Sequence, residues 1–204
     1  MVITVKNPII EENLVGFRNK HTTTYEAWMC VEKISYFLAG EASKLLNTSD
    51  TVTVTPLGEA AGKIIADKIE LIPVLRAGLA MLRPFQELYP NAHIGPIACQ
   101  RNHDLSITVS YEKISRDLRG STVIILDTML ATGNTVKRVI DLVEQRGALK
   151  IVVVNILSVQ MGLEHLAGYP VITAGDSDTL DANYYVFPGV GDSGDRLFGS
   201  ITEE

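Results

Sequence analysis

The 204-residue sequence predicts an α/β fold, a mainly parallel twisted sheet flanked by helices. Three observations carry that expectation. Short apolar runs at 71–75, 123–126, 151–157 and 171–175 are of strand length and lack alternation, as in strands buried on both faces of a parallel sheet. Between several of them, apolar residues recur at helical spacing, and strands alternating with helices build such a sheet. No linker, repeat or low-complexity tract interrupts the chain. With 46% of residues hydrophobic it can fill one core, so a single domain over 1–204 is expected.

In chain order, a mixed N-terminal segment precedes Thr23 and Glu26, which form a capping box. Trp28, Val31, Ile34, Leu38, Ala42 and Leu45 then follow on one helical face. Residues 51–70 alternate around turn signals between Pro56 and Gly62 and read as a β-hairpin arm projecting from the main sheet, a feature suited to a dimer contact. Residues 71–81 (LIPVLRAGLAM) read as a strand, then Arg76-Ala77-Gly78, then the start of a helix. A strand ending near Cys99 and an alternating segment towards Lys113 come next. Val123–Leu126 is then an apolar run that Asp127 ends, and Val136, Val139, Ile140 and Val143 mark a helix with Arg146 in its last turn and Gly147 as its stop. A strand at 151–157, a short helix from Met161 to Leu166 and a strand at 171–175 complete the repeating part. Residues 184–200 have neither helical nor strand period. Tyr184, Tyr185, Val186, Phe187 and Phe198 are too apolar for a frayed tail, so an ordered loop is expected there.

The loop at 127–135 carries the clearest chemistry. Ala131 and Gly133 permit close approach to the backbone just where a helix begins, and Thr132 and Thr135 add hydroxyl donors, which makes an anion cradle. Asp127 would repel a phosphate but accept from sugar hydroxyls, so a ligand with both ribose and phosphate fits. A turn cap at Asp127 and strain relief at Gly133 fit the same pattern, and spacing alone leaves both readings open. The loop at 127–135 contains neither GxxxxGK[ST] nor GxGxxG, which disfavours nucleoside triphosphate hydrolysis and dinucleotide binding there. Arg76 and Gly78 stand at a strand's carboxyl end, where open α/β sheets bind ligands, although an arginine snorkelling beside a simple turn fits too.

The run Asp127-Thr128-Met129-Leu130-Ala131-Thr132-Gly133 resembles the phosphoribosyl-pyrophosphate (PRPP) loop of type I phosphoribosyltransferases. The version is that of uracil phosphoribosyltransferases, with Thr128 in place of Pro and Asn134-Thr135 where Gly-Ser is common. Pro73-Val74-Leu75-Arg76-Ala77-Gly78-Leu79 matches a second family segment without a break. Residues 184–199 resemble the family's uracil loop, departing near the base at Ser193, where the family has Ala. The resemblance implies a type I phosphoribosyltransferase fold with a C-terminal base-binding loop, and the reaction uracil + PRPP → UMP + pyrophosphate in pyrimidine salvage. It implies catalytic roles for Asp127, Arg76, Arg101 and Asp192. PRPP would be bound by Arg76, Arg101, Asp127, Thr128, Met129, Leu130, Ala131, Thr132, Gly133, Asn134, Thr135 and Asp192, and uracil by Val186, Gly191, Asp192 and Ser193. Mg²⁺ would arrive on PRPP, near Asp192, with no metal ligated by the protein alone. A homodimer or higher homo-oligomer and GTP binding, found in some relatives, are further expectations.

Arg101 matches the arginine that opens the family's lid. Around it the match loosens, with Gln100 for Tyr, His103 and Asp104 for acidic residues, and Tyr111-Glu112 for an aromatic pair. His103 reads as a solvated loop side chain, His165 as structural and Cys99 as a buried strand residue. This eroded lid motivates one alternative, a non-catalytic nucleotide-sensing regulator on the same fold. Thr128 and Ser193 motivate another, a phosphoribosyltransferase for a different nucleobase. A net charge of −6 argues against a nucleic-acid partner. Apolar runs far below bilayer length argue against a membrane span, and Cys30 and Cys99 are too few for a disulfide framework. The N-terminal ten residues lack a secretory apolar core, so a cytoplasmic location is expected.

Overall fold

In the computed structural model, residues 1–101, 106–182 and 184–199 are described, Arg101 and Ser177 by their backbone alone. The N-terminal segment, unassigned from sequence, forms β1 (Val2–Thr4) and α1 (Pro8–Arg18). The side chain of Asn7 accepts from the Ile9 N–H, Pro8 takes the first turn and Arg18 the last, all regular helix-end chemistry. The periodicity is weak because the buried face is Ile10, Asn13 and Phe17, with a polar residue in the middle. Helix α2 (Thr24–Ser43) starts from the expected Thr23–Glu26 capping box and buries Val31, Ile34, Leu38 and Ala42.

Strands β2 (Thr48–Thr55) and β3 (Gly58–Ile65) form a separate two-stranded hairpin, joined through Pro56 and Leu57 and so tighter than the turn predicted. Then come β4 (Lys68–Leu75), α3 (Leu79–Leu88), β5 (His93–Ile94), β6 (Ile97–Arg101) and β7 (Ile107–Glu112). The repeating part continues with β8 (Ser121–Leu130), α4 (Asn134–Gln145), β9 (Lys150–Val159), α5 (Gln160–His165) and β10 (Val171–Leu180). It closes with β11 (Val186–Phe187) and α6 (Ser193–Phe198), so the segment expected as an aperiodic loop holds a short strand and a helix. Tyr184, Tyr185 and Phe187 are 49%, 62% and 64% exposed, against the expectation that they would be covered.

Among the described residues, nine strands make the main sheet in the order β1-β10-β9-β8-β4-β6-β7, with β5 beside β4 and β11 beside β10. Pairing is parallel except at β6–β7 and β10–β11. Strand β8 alternates its side chains between two cores. Ile124 and Leu126 pack with α1, α2 and α3, while Val123 and Ile125 pack against α4 and α5. Both faces are thus helix-covered, which is why the run at 123–126 is apolar throughout. Among the described residues no helix is long and apolar enough to cross a membrane.

Candidate active site

The connection from β4 through α3 leads to β6 on one side, and that from β8 through α4 leads to β9 on the other. Strand order therefore reverses between β4 and β8. In such sheets the crevice beyond the carboxyl ends of the two diverging strands is where ligands bind. Arg76 follows β4, and Asp127 lies near the end of β8.

Asp127 does not end its strand, as the apolar run suggested. Pairing with β4 stops at Pro73–Leu126, but β8 stays paired with β9 through Asp127–Asn155 to Leu130–Ser158. The strand loses one neighbour at Asp127, and the open edge is the crevice. Asp127 keeps some exposed surface, yet burial of its carboxyl raises the pKa to about 7, against the lowering effect of the Met129 and Thr128 N–H groups. A carboxylate ionising near neutrality, with no cation beside it among the described residues, is a mark of a ligand site.

Gly133, at φ +81°, is the N-cap of α4, and no side chain caps the helix. Its first-turn amides are those of the expected anion cradle. Leu130 points into the core, 1% exposed, which leaves it only a backbone role towards any ligand. Helix α5 lies against this loop. A Cβ on Gly162 would stand 2.5 Å from the Ala131 carbonyl oxygen, so only glycine lets the helix come so near. His165, also on α5, has Nδ1 2.9 Å from the Thr132 carbonyl oxygen, a support that sequence spacing could not reveal.

Gly78 is more than a turn residue. Its built Cβ would fall 2.2 Å from the Leu126 carbonyl oxygen, so glycine brings the Arg76 loop against β8. Arg76 is half-exposed and donates to Asp195 Oδ1 at 2.7 Å, with its guanidinium carbon 6.0 Å from the centre of the Phe198 ring. Asp195 was not foreseen as its partner. Asp192 caps α6, its Oδ1 accepting from the Asp195 N–H at 2.9 Å. Arg101 lies on β6 by its backbone, its side chain outside the description, and His103 and Asp104 lie outside the described residues. Cys99, half-buried, has its thiol pushed up to about 11 by burial and by the charge of Asp127.

A cleft of about 250 Å³ joins the two halves of the site. It is lined by Asp127, Thr128, Met129 and Ala131 from the β8 segment, and by Tyr184, Tyr185, Val186 and Gly191 to Gly194 from the C-terminal segment. Tyr184, at φ +63°, is the one described non-glycine residue with positive φ, and its exposure is that of a cleft wall. A larger hollow of about 600 Å³ next to it includes Arg18, Lys20 and Arg196. Two of those cations are committed. Arg18 grips Asp178 through two contacts of 2.6 and 2.8 Å, and Arg196 donates to the carbonyls of Val190 and Asn19.

The fold is that of the type I phosphoribosyltransferases. A purine phosphoribosyltransferase from Pyrococcus horikoshii superposes with a TM-score of 0.55 at 17% identity, covering 74% of this chain and 84% of its own. A protein from Aquifex aeolicus superposes with a TM-score of 0.90 at 27% identity over 98% of both chains. The family model described as uracil phosphoribosyltransferase matches residues 3–200. Uracil phosphoribosyltransferases from Dictyoglomus thermophilum (35% identity, 98% of this chain and 100% of the relative) and Chlamydia muridarum (37%, 98% and 68%) are similar along nearly the whole sequence. The chain belongs to the uracil phosphoribosyltransferase family.

Proposed function

We propose that this enzyme transfers ribose 5-phosphate from PRPP to N1 of uracil, giving UMP and pyrophosphate. The observation that carries this reading is the 250 Å³ cleft, which is lined by Asp127, Thr128, Met129 and Ala131 together with Val186 and Gly191 to Gly194. The first set fits a sugar phosphate and the second a flat polar base, so the reacting atoms would meet in the cleft they share.

Each role follows from the chemistry. Pyrophosphate leaves as an anion while C1 of ribose gains positive character, so Arg76, freed from Asp195, and Arg101 would stabilise the departing oxygens. The PRPP substrate enters as its magnesium complex, and Asp192, exposed at the cleft wall, is the carboxylate that would face it. Asp127 would accept from the ribose hydroxyls, and the first-turn amides of α4 with Thr132 and Thr135 would hold the 5-phosphate. Backbone groups of the 186–194 segment would orient uracil.

The hairpin of β2 and β3 supports an assembly of at least two copies. It stands apart from the main sheet with Val52, Val54, Leu57 and Ile64 exposed, and a lone hairpin with uncovered apolar side chains gains from a second chain. Purified enzyme given PRPP, Mg²⁺ and uracil should form UMP and pyrophosphate. Turnover of cytosine or a purine instead would move the assignment to another base, and ligand binding without product would make the protein a regulator. Adding GTP to the same assay tests the expected nucleotide response.

A further inference from the structure

Two hydroxyls meet where the two segments that line the cleft join. Thr128 on β8 is fully buried, Ser193 at the start of α6 is 7% exposed, and Thr128 Oγ1 lies 2.7 Å from Ser193 Oγ. The residues are 65 positions apart in sequence. Both are places where this chain departs from the uracil phosphoribosyltransferase pattern, in which Pro and Ala carry no side-chain polar group. A buried hydroxyl added at either position alone would lack this partner, at a cost of about 1–3 kcal/mol. Present together they satisfy each other. A second tie to the C-terminal segment, from Arg76 after β4 to Asp195, is half-exposed and must open if Arg76 is to meet a diphosphate. The hydroxyl pair has no such reason to open.

We infer that the Thr128–Ser193 bond is a positioning device that fixes the base-binding segment against the PRPP-binding strand, its two side chains serving each other instead of contacting the substrates. This rests on the function proposed above. A base held by backbone groups is read only as well as that backbone is placed. Ser193 anchors α6 and the 191–194 turn to β8 at Thr128, the residue between Asp127 and Met129. The bond also keeps the Ser193 hydroxyl from turning freely beside the base, where a rotating donor and acceptor would blur discrimination.

The test compares Thr128→Val, Ser193→Ala, the double variant and Thr128→Ser in the full-length enzyme. Each single change should raise the uracil KM about fivefold, the factor equivalent to losing about 1 kcal/mol of hydrogen bonding, while the PRPP KM stays within about twofold. The double variant should be no worse than the worse single one, since both remove the same interaction. Thr128→Ser keeps a hydroxyl and should hold the uracil KM closer to the wild-type value than Thr128→Val does. Additive effects in the double variant, or a PRPP KM that rises alone with Thr128→Val, would overturn the inference, as would a lower melting temperature with both KM values unchanged. Amide exchange over 186–199 provides a readout that needs no catalysis. Faster exchange there in both single variants, with β9 unchanged, supports the tie, and unchanged exchange overturns it. A wild-type enzyme that makes no UMP would fail the functional reading, and the exchange comparison would still decide the tie. Ser193→Ala removes only one oxygen, so the comparison survives if Thr128→Val does not fold.

Discussion

At the scale of single residues, Asp127 shows how function can set itself against stability. Its pKa is raised from 3.8 to about 7 by burial, so the folded chain favours the protonated acid. The stability that Asp127 contributes is therefore fully present below pH 4 and is lost as pH rises through about 7. Ribose hydroxyls donate more strongly to a carboxylate than to the protonated acid, so the ligand should pull the pKa back down. The KM for PRPP should fall as pH rises from about 6 to about 8, and Asp127→Asn should flatten that dependence while lowering turnover far more than stability. A pH profile that is the same in both proteins would remove Asp127 from the site. Arg76→Ala should raise the PRPP KM about tenfold or more, as expected when a charge-assisted bond worth about 1.5–3 kcal/mol is lost. Steady-state kinetics with an unaltered PRPP response would make Arg76 a structural partner of Asp195.

At the scale of elements, the site depends on supports whose signals are long-range. The cradle at 127–135 was legible because a strand, small residues and a helix start lie side by side in the chain, and Arg76-Ala77-Gly78 was legible for the same reason. The extension of β8 to Leu130 was not, since Asp127 and Thr128 interrupt the apolar run although β8 stays paired with β9 beyond them. Nor was α6, whose six residues show less than two turns of period and are fixed by the Asp192 cap and by the Trp28 indole, which donates to the Leu197 carbonyl. Gly162 reads in sequence as an ordinary short-helix residue, but it is the contact surface between α5 and the cradle. Gly162→Ala should therefore push α5 from the Ala131 carbonyl, destabilise the protein by about 1–3 kcal/mol and raise the PRPP KM more than that of uracil. Chemical denaturation together with the two KM values measures both parts, and a stability loss with no bias towards PRPP would mean that α5 does not shape the cradle.

At the scale of the whole molecule, the sequence predicts the sheet from its apolar strands, while the strand order comes from pairing between distant segments, which local pattern does not encode. The arm is the clearest case of a part that the single chain leaves unfinished. In the β2–β3 register Val52 faces Ala61, Val54 faces Glu59 and Asp50 faces Lys63, with an ion pair of 2.6 Å across the last of these. Successive side chains alternate between faces, so Val52, Val54 and Ala61 make one apolar strip. Val54 is 81% exposed and Leu57 at the tip is entirely so, far more than a folded chain would leave on a rigid two-stranded element without a partner. A second copy laid on this strip would cover it, and an isologous contact would do so twice with one set of residues. Val52→Lys with Val54→Lys places like charges on both sides of such a contact without touching the crevice between β4 and β8. If a second copy covers the strip, sedimentation should show assemblies for the wild type and monomers for the variant. The loss should be greatest at low salt, because the added repulsion between exposed charges is screened as ionic strength rises. Wild-type assembly that survives both lysines would place the interface on another surface and leave the arm as an independent hairpin.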